Sequence, residues 1–343
     1  MSPIFVGGIG AVSPAGWGVR TLRNALWNNE AAAVQDLARP GWEKPLRVRQ
    51  VPVPEPRPDF LSHPRLRRCS SITRFAVAAA LEALGKDAAA VNDGLMRLGL
   101  ICCAMSGCVN YSRRFYQEVL TEPATASPML FPETVFNAPA SHIAALLGRV
   151  ELNYTFVGDP GGFLQGLAAG AQWLASDQVD GCLVVGAEET DWVTSDSFRM
   201  FAKRMILSEG AGAIYLRRDS KPGVRVQLDV ITDSILLKHE LRRLDAVKIT
   251  RQQLPDGVAD SLLVDGTQDL RHYDAPEIEV WRDWAGTRLS PKKLLGEGLM
   301  AAAAWQCVAA IDALQQGRCS DAHVSTLGCN QQAIGGLFSR TEA

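Results

Sequence analysis

The stretch Asn153–Glu189, NYTFVGDPGGFLQGLAAGAQWLASDQVDGCLVVGAEE, constrains what this chain can fold into more than any other. It predicts a short strand (Asn153–Val157), a sharp turn (Gly158–Gly162), an apolar helix (Phe163–Ser176) and a buried strand (Asp180–Gly186). A turn joining a strand to a small-residue helix is where many α/β enzymes mount a nucleophile, because the helix N-terminus favours developing negative charge. Here the turn reads Gly-Asp-Pro-Gly-Gly. It has the shape of a nucleophile elbow with no nucleophile at its tip.

Composition narrows the class. A length of 343 residues suits one large or two modest domains. Apolar content of 47% with 21% charged residues describes a globular, core-forming chain. The net charge of −2 gives no electrostatic reason to expect nucleic acid or an anionic membrane as partner. The run Arg57–Arg68 is a local basic patch that reads as a solvated loop, with docking of an acidic protein or phosphate group as the alternative. No apolar run reaches the roughly 20 residues a membrane span needs, and Ile4–Val12 does not resemble a signal peptide. The eight cysteines are scattered through apolar segments, as reduced core cysteines are, so the expected location is cytoplasmic. Cys102, Cys103 and Cys108 match no common zinc spacing, and neither metal nor cofactor is expected.

Around the central stretch the chain alternates strands and Ala-rich helices. Ile4–Val12 reads as a buried strand, followed by a turn and a helix over Val19–Trp27. Gly8-x-Gly10 invites a dinucleotide fingerprint, but Ser13 stands where the third glycine belongs. Asn28–His63 carries six prolines and reads as an irregular surface excursion. Ser70–Leu84 is predicted helical with Ser70 or Ser71 as N-cap. Leu98–Ala104 predicts a buried strand, Tyr111–Leu120 a helix, Thr121–Phe136 an irregular segment and Ala138–Leu147 a helix. Met205–Leu216 predicts a turn and strand, and Val224–Leu237 a strand that bends. Arg242–Asp256 has no clear period, Leu262–Val264 reads as a short strand, and Pro291–Gly317 as one helix. Ala322–Leu327 and Ile334–Phe338 are the last strands. The alternation predicts α/β layers.

Five fragments line up, in order, with one family. They are GGIGAVSPAGWGVRTLRNALW (Gly7–Trp27), TRFAVAAALEAL (Thr73–Leu84), SPMLFPETVFNAPASHIAALLG (Ser127–Gly148), ILSEGAGAIYL (Ile206–Leu216) and PKKLLGEGLMAAAAWQCVAAIDALQQG (Pro291–Gly317). Together they resemble the β-ketoacyl synthases. The elbow VGDPGGFLQGL (Val157–Leu167) is similar to that of chain-length factors, ketosynthase-like subunits of type II polyketide systems that carry Gln in place of the catalytic Cys. The resemblance implies an α/β fold, a thiolase-type α-β-α-β-α layered sandwich of two similar halves, here 1–222 and 223–343.

In active members an elbow Cys attacks the acyl thioester, and two His serve decarboxylation and stabilise charge. By resemblance the Cys falls on Pro160, the first His on Asp265 of VDGTQD and the second on Glu297 of LLGEGLM. Proline has no side-chain nucleophile, and two ionised carboxylates would repel a developing oxyanion. Lys292 and Glu209 match retained family positions, which the resemblance implies approach each other as a structural pair near the pocket floor. The sequence is shorter than the family pattern between Arg218 and Leu262 and after Phe338, and the Gly-Phe-Gly-Gly gating loop is reduced to STLGCNQQ (Ser325–Gln332).

The leading expectation is therefore a catalytically inactive subunit with no catalytic residues. It would heterodimerise with an active ketosynthase, as one heterodimer or a dimer of heterodimers, shape that partner's acyl or polyene tunnel, and meet the acyl carrier protein through the partner. Phe136, Asn137, Ala138, Phe163, Gly166 and Trp173 are the candidate interface and tunnel residues. The alternative is an acyltransferase or hydrolase with rebuilt chemistry, drawing on Cys108, Cys329, His142, Asp159, Asp265 or Glu297.

Overall fold

A computed structural model describes residues 3–219, 225–238, 242–329 and 331–341. The first part of the chain runs β1 (Ile4–Ser13), β2 (Gly16–Trp17), α1 (Val19–Trp27), β3 (Gln35–Leu37), β4 (Leu46–Arg49), α2 (Ser71–Leu84), α3 (Asp87–Asn92) and β5 (Leu98–Ala104). Then come α4 (Val109–Thr121), α5 (Ala138–Leu147), β6 (Leu152–Val157), α6 (Gly162–Ala175), β7 (Gly181–Glu188), α7 (Trp192–Phe201), β8 (Leu207–Ser208) and β9 (Gly210–Arg217). The remainder is β10 (Arg225–Ile231), β11 (Ile235–Leu236), α8 (Arg243–Gln252), β12 (Ser261–Val264), α9 (Arg271–Val280), β13 (Thr287–Leu289), α10 (Pro291–Leu295), α11 (Met300–Gln315), β14 (Asp321–Leu327) and β15 (Gln332–Thr341).

The main sheet has the order β13-β12-β14-β15-β10-β1-β9-β7-β5-β6. From either edge inward the senses repeat: two parallel pairings, then two antiparallel ones. The two series meet where β1 pairs antiparallel with β10, Ile4 opposite Leu228 and Phe5 opposite Gln227. The expected boundary between 222 and 223, and Val224 at the start of the expected bent strand, lie outside the described residues. Helices α6 and α11 pack against strands of both series, α2 covers the outer face of β1, β7 and β9, and α8 covers β14 and β15. This is a five-layer α-β-α-β-α arrangement.

Alternation along the strands builds the core. On β5, Ile101 and Cys103 face α6 and α11, while Leu100 and Cys102 face α2. In α11 every residue from Met300 to Leu314 is buried, as a helix apolar on all sides requires. A side chain at Gly8 or Gly10 would overlap the α2 carbonyls of Ala83 and Ala79, so these glycines let helix and strand touch backbone to backbone. That close approach accounts for the Gly8-x-Gly10 spacing.

Four expectations change. The Pro-rich excursion contains the hairpin β3–β4, whose Val48 pairs with Leu207 of β8. Three helices stand where no helix was expected: α3, α7 and α9, the last with Pro276 inside it. The helix predicted over Pro291–Gly317 is broken: Gly296 (φ 87°) and Leu299 (φ 51°) turn the chain between α10 and α11. Finally, Ser70 occupies the N-cap position of α2, but its hydroxyl pairs with Thr73 Oγ1 at 3.1 Å. Glu189 caps instead, its carboxylate accepting from Ile72 N at 3.2 Å and from Asn110 N, near the start of α4, at 2.9 Å.

Glu188 works beside it, accepting from the backbone N–H of Met105 and of Ser106. Burial pushes Glu188 up to about 8 and Glu189 up to about 7, against the opposing effect of these backbone donors. Each carboxyl holds its proton more tightly in the folded chain than in the unfolded one, where Glu titrates near ~4.3. Their contribution to stability is complete below that value and is lost as pH rises toward 8. The urea midpoint should therefore carry a downward component between pH 5.5 and 8.5 that Glu188→Gln weakens; parallel pH profiles for parent and variant would contradict this.

Candidate functional site

The elbow forms as expected: β6 ends at Val157, the turn carries Asp159 and Pro160, and α6 begins at Gly162. Both Asp159 and Pro160 are buried. Asp159 closes the turn against the loop after β14. Its carboxylate accepts from Cys329 N at 2.9 Å and from Gln331 N and Gln332 N at 3.3 Å, and its own N–H donates to Gln331 Oε1. A Cβ at Gly328 would overlap this carboxylate, so only glycine lets the loop lie so close. The reduced gating loop is thus tied down onto the elbow.

Beneath it, the break between α10 and α11 turns Glu297 inward. Glu297 is 1% exposed; its Oε2 lies 2.8 Å from Lys292 Nζ and its Oε1 accepts from Leu299 N at 2.9 Å. Burial alone would lower the Lys292 pKa, but Glu297 more than reverses this, so the ammonium is held above its ordinary range. Each therefore has its partner inside the core. The expected Lys292–Glu209 pair does not form. Glu209 instead accepts from Val51 N at 3.2 Å and from Thr190 N and Oγ1 at 3.1 and 2.7 Å, because backbone donors on the adjoining loops reach it first.

Asp265, also 1% exposed, sits at the end of β12 in a neighbouring cluster. It accepts from Thr267 N at 3.0 Å and Thr267 Oγ1 at 2.7 Å, and its second oxygen lies 2.9 Å from Arg288 Nε. Glu277 of α9 accepts from Ser325 Oγ at 2.6 Å, and burial plus the charge of Asp265 push it up to about 7. Sequence reasoning missed Glu277, Ser325 and Arg288, which lie far from Asp265 in the chain and join it only through the fold. A small cavity lined by Glu297, Glu277, Gly266, Arg243, Gly328 and Cys329 lies between these groups. Its volume of about 10 Å³ holds roughly one water and no acyl chain.

The candidate thiols are pushed above the ordinary range. Burial pushes Cys108 and Cys102 up to about 12, and raises Cys329 well above the ordinary thiol range, helped by Glu297. All three are thiols at neutral pH; at Cys329 burial and Glu297 outweigh the nearby cations Lys292 and Arg243. His142 pairs with Glu133 at 2.8 Å. No group of three His, Cys, Asp or Glu side chains among the described residues is arranged to hold a metal ion.

The interface candidates divide. Phe163 is fully enclosed and Gly166 lies against Cys103, Val184 and Ile101, so both fill this chain's own core; neither reaches its surface. Ala138 is buried too. Phe136 and Asn137 are exposed, Phe136 lying over Gly107. Trp173 is half-buried and meets Tyr154 of β6 edge-on at 5.4 Å. β6 is a sheet edge whose Tyr154 and Val157 are more than half exposed.

Comparison with known proteins agrees on the fold. No family model matches the chain. A mitochondrial protein of Schizosaccharomyces pombe, named as a candidate 3-oxoacyl-[acyl-carrier-protein] synthase, is 28% identical over 167 residues, 45% of this chain and 39% of that protein. Among solved structures, "The ishigamide ketosynthase/chain length factor" superposes with TM-score 0.81 over 99% of this chain and 100% of that one, at 18% identity. A beta-ketoacyl synthase from Burkholderia phymatum gives 0.77 over the whole of both chains at 15% identity. A type II acyl-carrier protein in complex with its ketosynthase (AntDE:AntF) gives 0.77 over 98% of this chain and 99% of that one at 13% identity. The fold is the thiolase-type sandwich of ketosynthases and chain length factors.

The buried pair makes a direct prediction. Glu297→Ala strands the Lys292 ammonium in the core and should cost about 3–5 kcal/mol in denaturant unfolding. Lys292→Met combined with Glu297→Leu should recover most of the loss; a Glu297→Ala effect below about 1 kcal/mol would mean the pair is not buried as described.

Proposed function

We propose that this chain is a non-catalytic, chain-length-factor-like subunit. It pairs with an active β-ketoacyl synthase and shapes the end of the partner's acyl or polyketide tunnel, a polyene chain being one candidate cargo. The observation that carries the reading is the Lys292–Glu297 ion pair beneath a proline elbow. A developing oxyanion there would meet a carboxylate already neutralised by its own lysine, above a space too small for substrate.

The surface supports pairing with a second chain. β6 is a six-residue edge strand without a charged residue, a form that soluble proteins seldom leave bare. Near it in the chain, α4 has no fully buried residue, and Phe131 and Phe136 are exposed. These elements would form the partner-facing surface, with the acyl carrier protein engaged through the ketosynthase, two such heterodimers able to pair, and the assembly cytoplasmic. Among the described residues no helix is long and apolar enough to cross a membrane. The acyltransferase or hydrolase reading would need an activated thiol or a free carboxylate pair; Cys329 is a raised-pKa thiol, and Glu297 is consumed by Lys292.

Two measurements test the proposal. Co-expressed with a ketosynthase from the same source, the chain should comigrate with it as a 1:1 complex on size exclusion; a chain that stays monomeric at micromolar concentration, alone and with that ketosynthase, would contradict it. Pro160→Cys should leave condensation activity of the isolated chain at background, because Glu297 and Asp265 remain; turnover restored by that single change would overturn the reading.

A further inference from the structure

A second cavity has a different character. Lys44 and Arg47 of the β3–β4 hairpin, Arg199 of α7, and Lys203 and Arg204 line a cleft of about 310 Å³. No carboxylate lines it. The nearby Asp196 is held by Arg39 at 2.7 Å and is 4.0 Å from Arg199, and the other four cations have no ion pair among the described residues. The chain as a whole carries a net charge of −2, so five cations in one cleft are a local concentration and not a reflection of overall charge. Like charges this close repel unless a counter-anion joins them.

A second observation points the same way. Ser195 lines the same cleft, is 7% exposed, and its hydroxyl has no hydrogen-bond partner among the described residues. A buried hydroxyl without a partner is uncommon and marks a place where another polar group is accommodated. Leu46, Ile206 and Leu207 add an apolar wall, and Met205 borders both this cleft and the small cavity holding Glu297.

We propose that this cleft binds a phosphate ester. Three guanidinium forks match phosphate oxygens in pairs, lysines add point charge, and a serine hydroxyl supplies a neutral donor. The volume admits a phosphate or diphosphate with part of an attached arm. The inference goes beyond the subunit role and does not rest on it.

Calorimetric titration of the full chain with inorganic diphosphate tests it. Saturable binding at one site is expected, weakened at least about tenfold by Arg47→Gln combined with Arg204→Gln. Arg65→Gln combined with Arg67→Gln removes equal charge from the separate basic run and should leave the affinity unchanged. Absence of saturable binding, or equal weakening by both pairs, would overturn the proposal. Where binding is seen, a carrier protein bearing a serine-linked phosphodiester arm is compared with the same carrier lacking it: tighter binding with the arm assigns the ester to a carrier, and equal binding assigns it to a free ligand.

Discussion

Helix α11 is surrounded by protein over its whole length from Met300 to Leu314, and both series of strands lean on it. A helix in that position admits no unpaired charge along its sides, so Ala dominates, and its two buried polar handles are both spoken for. Gln306 donates to Ser325 O at 2.8 Å, and Asp312 takes a bidentate grip from Arg23 of α1 at 2.6 and 2.8 Å. Trp305 Nε1 reaches Val12 O and Ala211 O, both at 3.0 Å, fixing the helix to β1 and β9. The helix must begin abruptly, and the chain before it must turn within the core. That turn, from Gly296 to Leu299, delivers the Glu297 carboxylate to Lys292.

The candidate site follows from this constraint. The break below and the elbow above face one another, and in this chain each is sealed by an acidic residue: Glu297 by Lys292, and Asp159 by the backbone of the loop after β14. Strand–turn–helix geometry of the kind that elsewhere mounts a nucleophile here serves packing and loop attachment. The strand–turn–helix geometry is present while its chemical groups are engaged with one another, and the proposed role rests on that arrangement.

Much of this was legible in the chain. Leu98–Ala104 and the apolar part of Asp180–Gly186 read as buried strands, and the elbow's missing nucleophile is visible at Pro160 without any structure. The failures have physical causes. In α7 only Ser195 and no apolar residue is fully buried, so no hydrophobic period marks it; in α9, Pro276 and buried acids disguise a helix. The break at Gly296–Leu299 depends on two positive φ angles that an Ala-rich run conceals. Lys292 pairs with Glu297, five residues away, and not with the Glu209 that the resemblance implies, because the local turn between α10 and α11 brings Glu297 to it. The Glu277–Ser325 contact depends wholly on tertiary assembly.

The central claim is that no covalent acyl intermediate forms on this chain. Intact-mass spectrometry of the purified chain, and of its complex with a ketosynthase, after incubation with an acyl thioester tests it most directly. The account predicts the acyl mass increment on the ketosynthase alone; an acyl adduct on this chain that survives denaturation, mapped to Cys329 or any other residue, would contradict it.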